Sequence, residues 1–415
     1  MNRRRVVITG LGAITPIGHT AVESWQGVRD GLCGIGPITQ YDPSQQKAKL
    51  AAEVKDFVTE DFLDKRKAKH MSRCTQFAVI AAKEALADAG FHLEEDGIDP
   101  TRCGVILSSG IGALGNTEAE HSKGLAKGFD RVSPYYIPMT ICNMPAGQVA
   151  IDAGFRGQCT CPVTACASGT YAVGDAFHYI RDGYAEVMLC GGAESSITPL
   201  ALGGFTSMKA LCQSEDPARA SIPFDKERSG FIMGEGAGVL LLEELEHAQK
   251  RGAKIYAEVV GYGATCDAYH MTAPRPDGSG AADSMAMALG DGGVSPDQVD
   301  YINAHGTSTP PNDAGETAAV KLAFGDWAYR LAMSSTKSMT GHMMGAAGAV
   351  EALFSALALR DQYLPATIHY QVPDEACDLD IVPNQGREAK LRYALSNSLG
   401  FGGHNGSILL KKWEA

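Results

Sequence analysis

Six short apolar runs recur along the chain, and each ends in a turn rich in glycine or serine: RRVVITGLG, CGVILSSG, AEVMLCGG, AEVVGYG, VDYINAHG and RLAMSSTKS. Their length and β-branched content predict buried strands. Between several of them, apolar positions recur at helical spacing. TQFAVIAAKEALADAG predicts a helix closed by Gly90, while ADSMAMALGDGG and ETAAVKLAFG predict helices closed at Gly290 and Gly325. Strands that alternate with helices predict an α/β protein, its parallel or mixed sheet covered by helices on both faces.

The pattern repeats itself. Val6–Gly12 and Ala257–Gly263 are both apolar runs ending in G-x-G. TACASG from Thr164 and TGHMMGAAG from Thr340 both pass from a strand region into a helix of small residues. These likenesses predict two similar halves, residues 1–253 and 254–415, with the boundary after the charged helix EELEHAQKRG. A chain of 415 residues suits two such units better than one core.

Charge narrows the partners. At a net −12 the surface as a whole is a poor match for nucleic-acid phosphates. One run, DKRKAKHMSR, stands against that background with Lys65, Arg66, Lys67, Lys69 and Arg73. Such runs are usually a solvated helix face. No apolar stretch reaches the ~18 residues of a membrane span. The basic start MNRRRVVITGLGAITPIG looks like a signal peptide, but Gly10 and Gly12 interrupt it and TPIG is a poor cleavage site, so it reads as a first strand and turn. Eleven scattered cysteines fit a reducing cytoplasm, and Cys159 and Cys161 lack the further ligands a zinc site needs. Gly110, Gly112 and Gly115 match the dinucleotide fingerprint, yet the acid at the right distance, Asp130, lies at no strand end.

The candidate chemistry gathers in three places. In VTACASGTYAVG, Cys166 falls between a strand-like QCTCPVTA and a helical YAVGDAFHYI. A helix start there lowers a thiol pKa and offers free N–H groups to an oxyanion. Ala167, Ser168 and Gly169 are small enough to let a substrate approach. A lone cysteine is more often packing than nucleophile. His305 in YINAHGTSTP and His342 in SSTKSMTGHMMGAAG shift that balance, because both stand in turns at strand exits, where α/β sheets place their sites.

With those residues in view, the chain resembles the β-ketoacyl-acyl carrier protein synthases, condensing enzymes of the thiolase superfamily, and most closely their elongating type II group. The likeness runs nearly end to end, through VVITGLGAITPIG, PFDKERSGFIMGEGAG, DAYHMTAP, NAHGTSTP, SSTKSMTGHMMGAAGAVE, DLDIVPN and NSLGFGGHNGS. It implies a thiolase-like fold, five-layered α-β-α-β-α, and decarboxylative condensation of a malonyl unit with a cysteine-bound acyl chain. It implies a Cys166, His305, His342 triad, with Lys337 in the active site paired to Glu351. The oxyanion hole would be the N–H groups of Cys166 and Phe401. Thr307 and Thr309 would touch the pantetheine arm. Ile111, Phe205 and Phe401 would line and gate the acyl pocket, with GFGG as hinge. Lys65, Arg66 and Lys69 would dock an acidic acyl carrier protein. The resemblance further implies a cytoplasmic homodimer with no cofactor, its substrates carried on the carrier's 4'-phosphopantetheine. Leu399 and His404 depart from the family, which commonly has phenylalanine and threonine there. A polyketide ketosynthase, a catalytically silent heterodimer subunit and a thiolase are the alternatives.

Overall fold

The computed structural model describes residues 3–414. Ten strands form one mixed sheet: β1 (Val6–Ile14), β2 (Cys103–Ser108), β3 (Cys159–Thr160), β4 (Val187–Glu194), β5 (Gly236–Glu244), β6 (Ala257–Cys266), β7 (Tyr301–Asn303), β8 (Ala332–Ser334), β9 (Tyr393–Gly400) and β10 (His404–Lys412). All six strands expected from the apolar runs are among them. The stretch QCTCPVTA supplies only the two residues of β3 and is otherwise irregular.

The spatial order is β8-β7-β9-β10-β6-β1-β5-β4-β2-β3. Counted within each half it reads 3-2-4-5-1 and then its mirror. The strand senses repeat as well. In the first half β1–β5 and β5–β4 are antiparallel, then β4–β2 and β2–β3 parallel. In the second half β6–β10 and β10–β9 are antiparallel, then β9–β7 and β7–β8 parallel. The halves meet where Val6–Ile8 pairs with Ala257–Val259. The two G-x-G strands that hinted at duplication are thus β1 and β6, the strands at the seam.

Five helices define the layers: α1 (Arg73–Ala89), α2 (Ser168–Arg181), α3 (Ser279–Gly292), α4 (Pro310–Phe324) and α5 (Ala347–Asp361). Helix α1 covers β1, β5 and β4, and α3, backed by α4, covers β6 and β10. These are the outer layers. Helices α2 and α5 touch each other and strands of both halves, so they are the middle layer. Their sequences suit the position. Ala347 to Leu359 are buried on every face of α5, as a helix enclosed on all sides requires. Leu353, Phe354 and Leu357 there each contribute about 1.5–3 kcal/mol of burial. Where α2 and α5 cross, a Cβ on Gly169 would lie 2.8 Å from the backbone of Gly345 and Ala349. Only a hydrogen fits, and the two helix starts come together.

The expected helix ends hold at Gly90 and Gly325, but α3 runs past Gly290 to Gly293. Gly293 adopts the left-handed conformation, and its N–H donates to the carbonyls of Leu289 and Gly290.

Candidate active site

Each middle helix is preceded by a single 3₁₀ turn, Ala165–Ala167 before α2 and Met344–Ala346 before α5. Both turns open on a non-glycine residue in the left-handed region, Ala165 (φ 52°) and Met344 (φ 48°). Such residues cost about 1–3 kcal/mol each and persist only where their surroundings hold them. At Ala165 the brace is Ser168, whose Oγ donates to the Ala165 carbonyl at 2.6 Å and accepts the Thr164 N–H at 2.8 Å. The strain places Cys166 at the mouth of α2, facing a cavity lined also by His305, His342, Thr307, Thr309, Phe205, Phe231, Leu399 and Phe401.

Burial dominates the thiol. Cys166 is pushed up to about 12, chiefly by desolvation and also by the buried Glu194 carboxylate. Lys337 and the N–H groups of Cys166 and Phe401 pull the other way. A thiol acidified by the helix start was the expectation, but removal from water outweighs that field. The same two N–H groups converge on the sulfur.

His305 follows β7. Its N–H and that of Gly306 both donate at 2.8 Å to the buried Glu316 carboxylate on α4. His342 donates its N–H to the Ile232 carbonyl at 2.7 Å, and its ring meets the Phe231 ring edge to face at 5.4 Å. The two imidazoles stand perpendicular with centroids 5.3 Å apart. Neither His305 Nδ1 nor either ring nitrogen of His342 has a hydrogen-bond partner among the described residues. Burial first, and the Lys337 charge second, hold both histidines well below their usual range. They are neutral imidazoles at physiological pH, able to donate one N–H each.

Lys337 does not line the cavity. It is fully buried behind the histidines, and its Nζ donates to Glu351 Oε1 on α5. Burial raises the Glu351 carboxyl, and the ammonium beside it opposes that rise.

Thr307 and Thr309 are brought side by side, their hydroxyls 3.0 Å apart, by a left-handed Ser308 (φ 69°) between them. Phe401 sits in the β9–β10 turn, its ring 6.3 Å from Phe205. Gly402 (φ 89°) and Gly403 (φ 79°) follow it in backbone conformations that side chains resist. The turn is latched where the Gly402 N–H donates to the Met271 carbonyl at 2.8 Å. The two departures flank this turn. Leu399 packs toward the core of the second half, and the His404 ring stands directly behind Gly402. Ile111 belongs to one apolar cluster with Cys166, Met344 and Phe205.

In the basic run, Lys65–Ala68 form one helical turn capped by Asp64, and Lys65, Arg66 and Lys69 are exposed. Arg73 is not part of that surface. Its guanidinium donates to both oxygens of the fully buried Glu235, at 2.9 and 2.7 Å, and lies over the Phe77 ring. Glu316 was invisible from the sequence. It is one of two acids in its helix, Asp313 being the other, and nothing in the local pattern sets it apart.

A thiol at a helix start beside two buried neutral histidines, in a duplicated sheet with two central helices, defines a condensing enzyme of thiolase-like fold. Residues 3–248 match the family Beta-ketoacyl synthase, N-terminal domain, and residues 256–371 match its C-terminal domain. The chain is 52% identical over 415 residues to a Synechocystis protein named 3-oxoacyl-[acyl-carrier-protein] synthase 2, covering 100% of this chain and 99% of that one. A Staphylococcus aureus protein of the same name is 49% identical over 412 residues, with 99% of each covered. Among solved structures, the ishigamide ketosynthase/chain length factor aligns with a TM-score of 0.93 and 37% identity, over 99% of this chain and 100% of that one. A beta-ketoacyl synthase from Burkholderia phymatum gives 0.91 and 34%, over 99% and 100%. The chain belongs to the beta-ketoacyl synthase family.

Proposed function

We propose that this enzyme is a 3-oxoacyl-[acyl-carrier-protein] synthase of the elongating type, and that Cys166, His305 and His342 perform its chemistry. The observation that carries this reading is the meeting, in one cavity, of a thiol flanked by two converging N–H groups with histidine nitrogens that have no partner of their own.

In the first half-reaction Cys166 attacks the acyl thioester, and the tetrahedral oxyanion rests on the N–H groups of Cys166 and Phe401. The carbon–sulfur bond to pantetheine breaks, the acyl chain stays on Cys166, and the thiol proton passes through a neutral histidine to the leaving pantetheine sulfur. In the second, a malonyl thioester loses CO2, and His305 and His342 donate N–H groups to the enolate oxygen. The enolate carbon attacks the acyl-cysteine. The 3-oxoacyl thioester leaves, and the cysteine thiolate takes up a proton from solvent water, the one proton the overall reaction consumes. Carbon dioxide release drives the step without a further cofactor. Lys337, walled off from the cavity, acts on the histidines through its charge rather than on substrate. Thr307 and Thr309 offer hydroxyls to the pantetheine arm, and Phe205, Ile111 and the hinged Phe401 shape the acyl end.

Carrier docking falls to Lys65, Arg66 and Lys69, by charge complementarity with an acidic acyl carrier protein. A homodimer is supported by the open outer edge of β3 and by exposed apolar side chains near it, Ile137, Ile151 and Val163. Among the described residues no helix is long and apolar enough to cross a membrane. The cysteines, all present as free thiols, fit a cytoplasmic setting.

The test is intact-mass detection of acyl transfer from carriers of graded chain length, in native enzyme and Cys166→Ala. Native enzyme gains the acyl mass and the variant does not; a native enzyme that never acylates overturns the reading. A polyketide ketosynthase shares this site, and product analysis with the native carrier separates the two.

A further inference from the structure

Glu194 ends β4, is fully buried, and makes no ion pair among the described residues. Four donors converge on it from three segments. Oε1 accepts the hydroxyls of Ser109 at 3.1 Å and Ser196 at 2.9 Å. Oε2 accepts the Gly110 N–H at 2.8 Å and the Gly345 N–H at 3.2 Å. Desolvation raises its carboxyl, and all four bonds oppose that rise. A buried carboxylate in the first half thus reaches across to a turn of the second.

Of the two turns it joins, the second reaches the cavity through Met344, and the first packs through Ile111 in one apolar cluster with Cys166 and Met344. Ser109–Ile111 leads to the acyl-pocket residue Ile111, and the Ser109 hydroxyl also accepts the Gly112 N–H at 3.0 Å. Met344–Ala346 follows His342 and carries the strained Met344, whose side chain lines the cavity. The contact is close. A Cβ on Gly345 would lie 2.2 Å from the Gly110 nitrogen, and a Cβ on Gly110 would lie 3.0 Å from Glu194 Oε2. The main chains touch, and the carboxylate is the clasp.

We propose that Glu194 is a positioning residue for the condensation: its carboxylate clasps the acyl-pocket turn Ser109–Ile111 to the turn Met344–Ala346 beyond His342. The pocket wall that measures the acyl chain and the segment that bears the decarboxylating histidine then move as one body. This proposal rests on the condensing reading above. Glutamine has the right shape to keep the clasp, with its oxygen toward the two backbone N–H groups and its amide toward the two serine hydroxyls. Aspartate, one methylene shorter, cannot span both turns. Glutamine does remove the charge, which opposes Cys166 ionisation.

The experiment compares native enzyme with Glu194→Gln and Glu194→Asp in two assays. The first is the ratio of kcat/KM for Cys166 acylation from octanoyl and hexadecanoyl carriers. The second is the pH dependence of Cys166 alkylation by iodoacetamide. We expect the chain-length ratio to change at least fivefold in Glu194→Asp and to return to within twofold of native in Glu194→Gln. Alkylation should move to lower pH in Glu194→Gln. A merely structural residue would lower stability in Glu194→Asp and leave the ratio alone, which overturns the proposal; so does a ratio equally disturbed in Glu194→Gln. If Glu194→Asp does not fold, Ser109→Ala takes its place, because it removes one of the four bonds of the clasp and must still shift the ratio; an unshifted ratio overturns the proposal. Native enzyme serves as the control for the underlying reading, since it must acylate at all for the ratio to exist.

Discussion

Gly400 is the position at which a single methyl group should separate the two half-reactions. It ends β9 and packs against the Cys166 turn. A Cβ there would lie 2.6 Å from the Thr164 carbonyl oxygen, 3.2 Å from the Ala167 nitrogen and 3.4 Å from the Cys166 nitrogen. Relaxed carbon contacts lie near 3.5 Å. Gly400→Ala therefore forces β9 and the Cys166 turn apart by roughly 0.8 Å. The Phe401 N–H rides on that strand, so the distance between the two oxyanion donors opens by a similar amount. Misplacement of about 1 Å costs ~10²-fold in rate, or about 2.7 kcal/mol of barrier. We expect acylation of Cys166 to slow about 30- to 100-fold, with about 1–3 kcal/mol lost from stability by overpacking. His305 and His342 hang on other segments, so CO2 release from a malonyl carrier should stay within about threefold of native. Intact-mass time courses measure the first quantity and trapped CO2 the second. A folded Gly400→Ala enzyme that acylates at nearly the native rate would falsify the oxyanion assignment. One that loses both activities together would refute the separation of the two sites.

Lys337→Met removes a charge that helps keep both histidines neutral, so their pKa values rise and the acid limb of malonyl decarboxylation should move to higher pH; an unmoved limb removes Lys337 from the histidines' electrostatics. Cys166→Gln should abolish condensation while retaining malonyl decarboxylation, and loss of CO2 release as well would mean that the cysteine shapes the histidine site. Lys65→Glu with Lys69→Glu should raise KM for acyl and malonyl carriers without altering kcat, and an unchanged KM for both refutes the docking surface. Arg73→Ala should leave KM alone and instead cost about 2–4 kcal/mol in denaturant unfolding, because it leaves Glu235 buried without its cation.

The contrast between Arg73 and its neighbours shows where sequence reading stops. A run of positive residues reveals charge but not direction: the single turn Lys65–Ala68 leaves Lys65 in solvent, whereas Arg73 opens the next helix and turns inward to a carboxylate 162 positions later. The strands β1, β2 and β4 were legible because their buried positions are apolar. Strand β9 was not, since its buried interior includes Ser396, Asn397 and Ser398. On one face the Ser398 hydroxyl accepts that of Thr170 on the central helix α2 at 2.7 Å, and on the other the Asn397 amide donates to Met285 on α3, so packing there overrides hydropathy. The Cys166 turn was legible through its small residues and the histidine motifs. The state of its thiol was not, because desolvation depends on everything packed around it. Glu194 and Glu316 stayed hidden for a related reason: each is one acid in an ordinary element, and only folding shows which N–H groups converge on it.

The duplicated sheet has an electrostatic consequence. A fold made of two like halves points two helix starts at one spot, and each start carries roughly half a positive charge. Left equal, they would offer an anion two competing seats. The enzyme breaks the tie with its own chain: at Gly345, the counterpart of Cys166 in the repeated turn, the backbone N–H is already taken by the Glu194 carboxylate. One seat is filled from within and the other is left for the substrate, so the reaction inherits a single address from a symmetric frame.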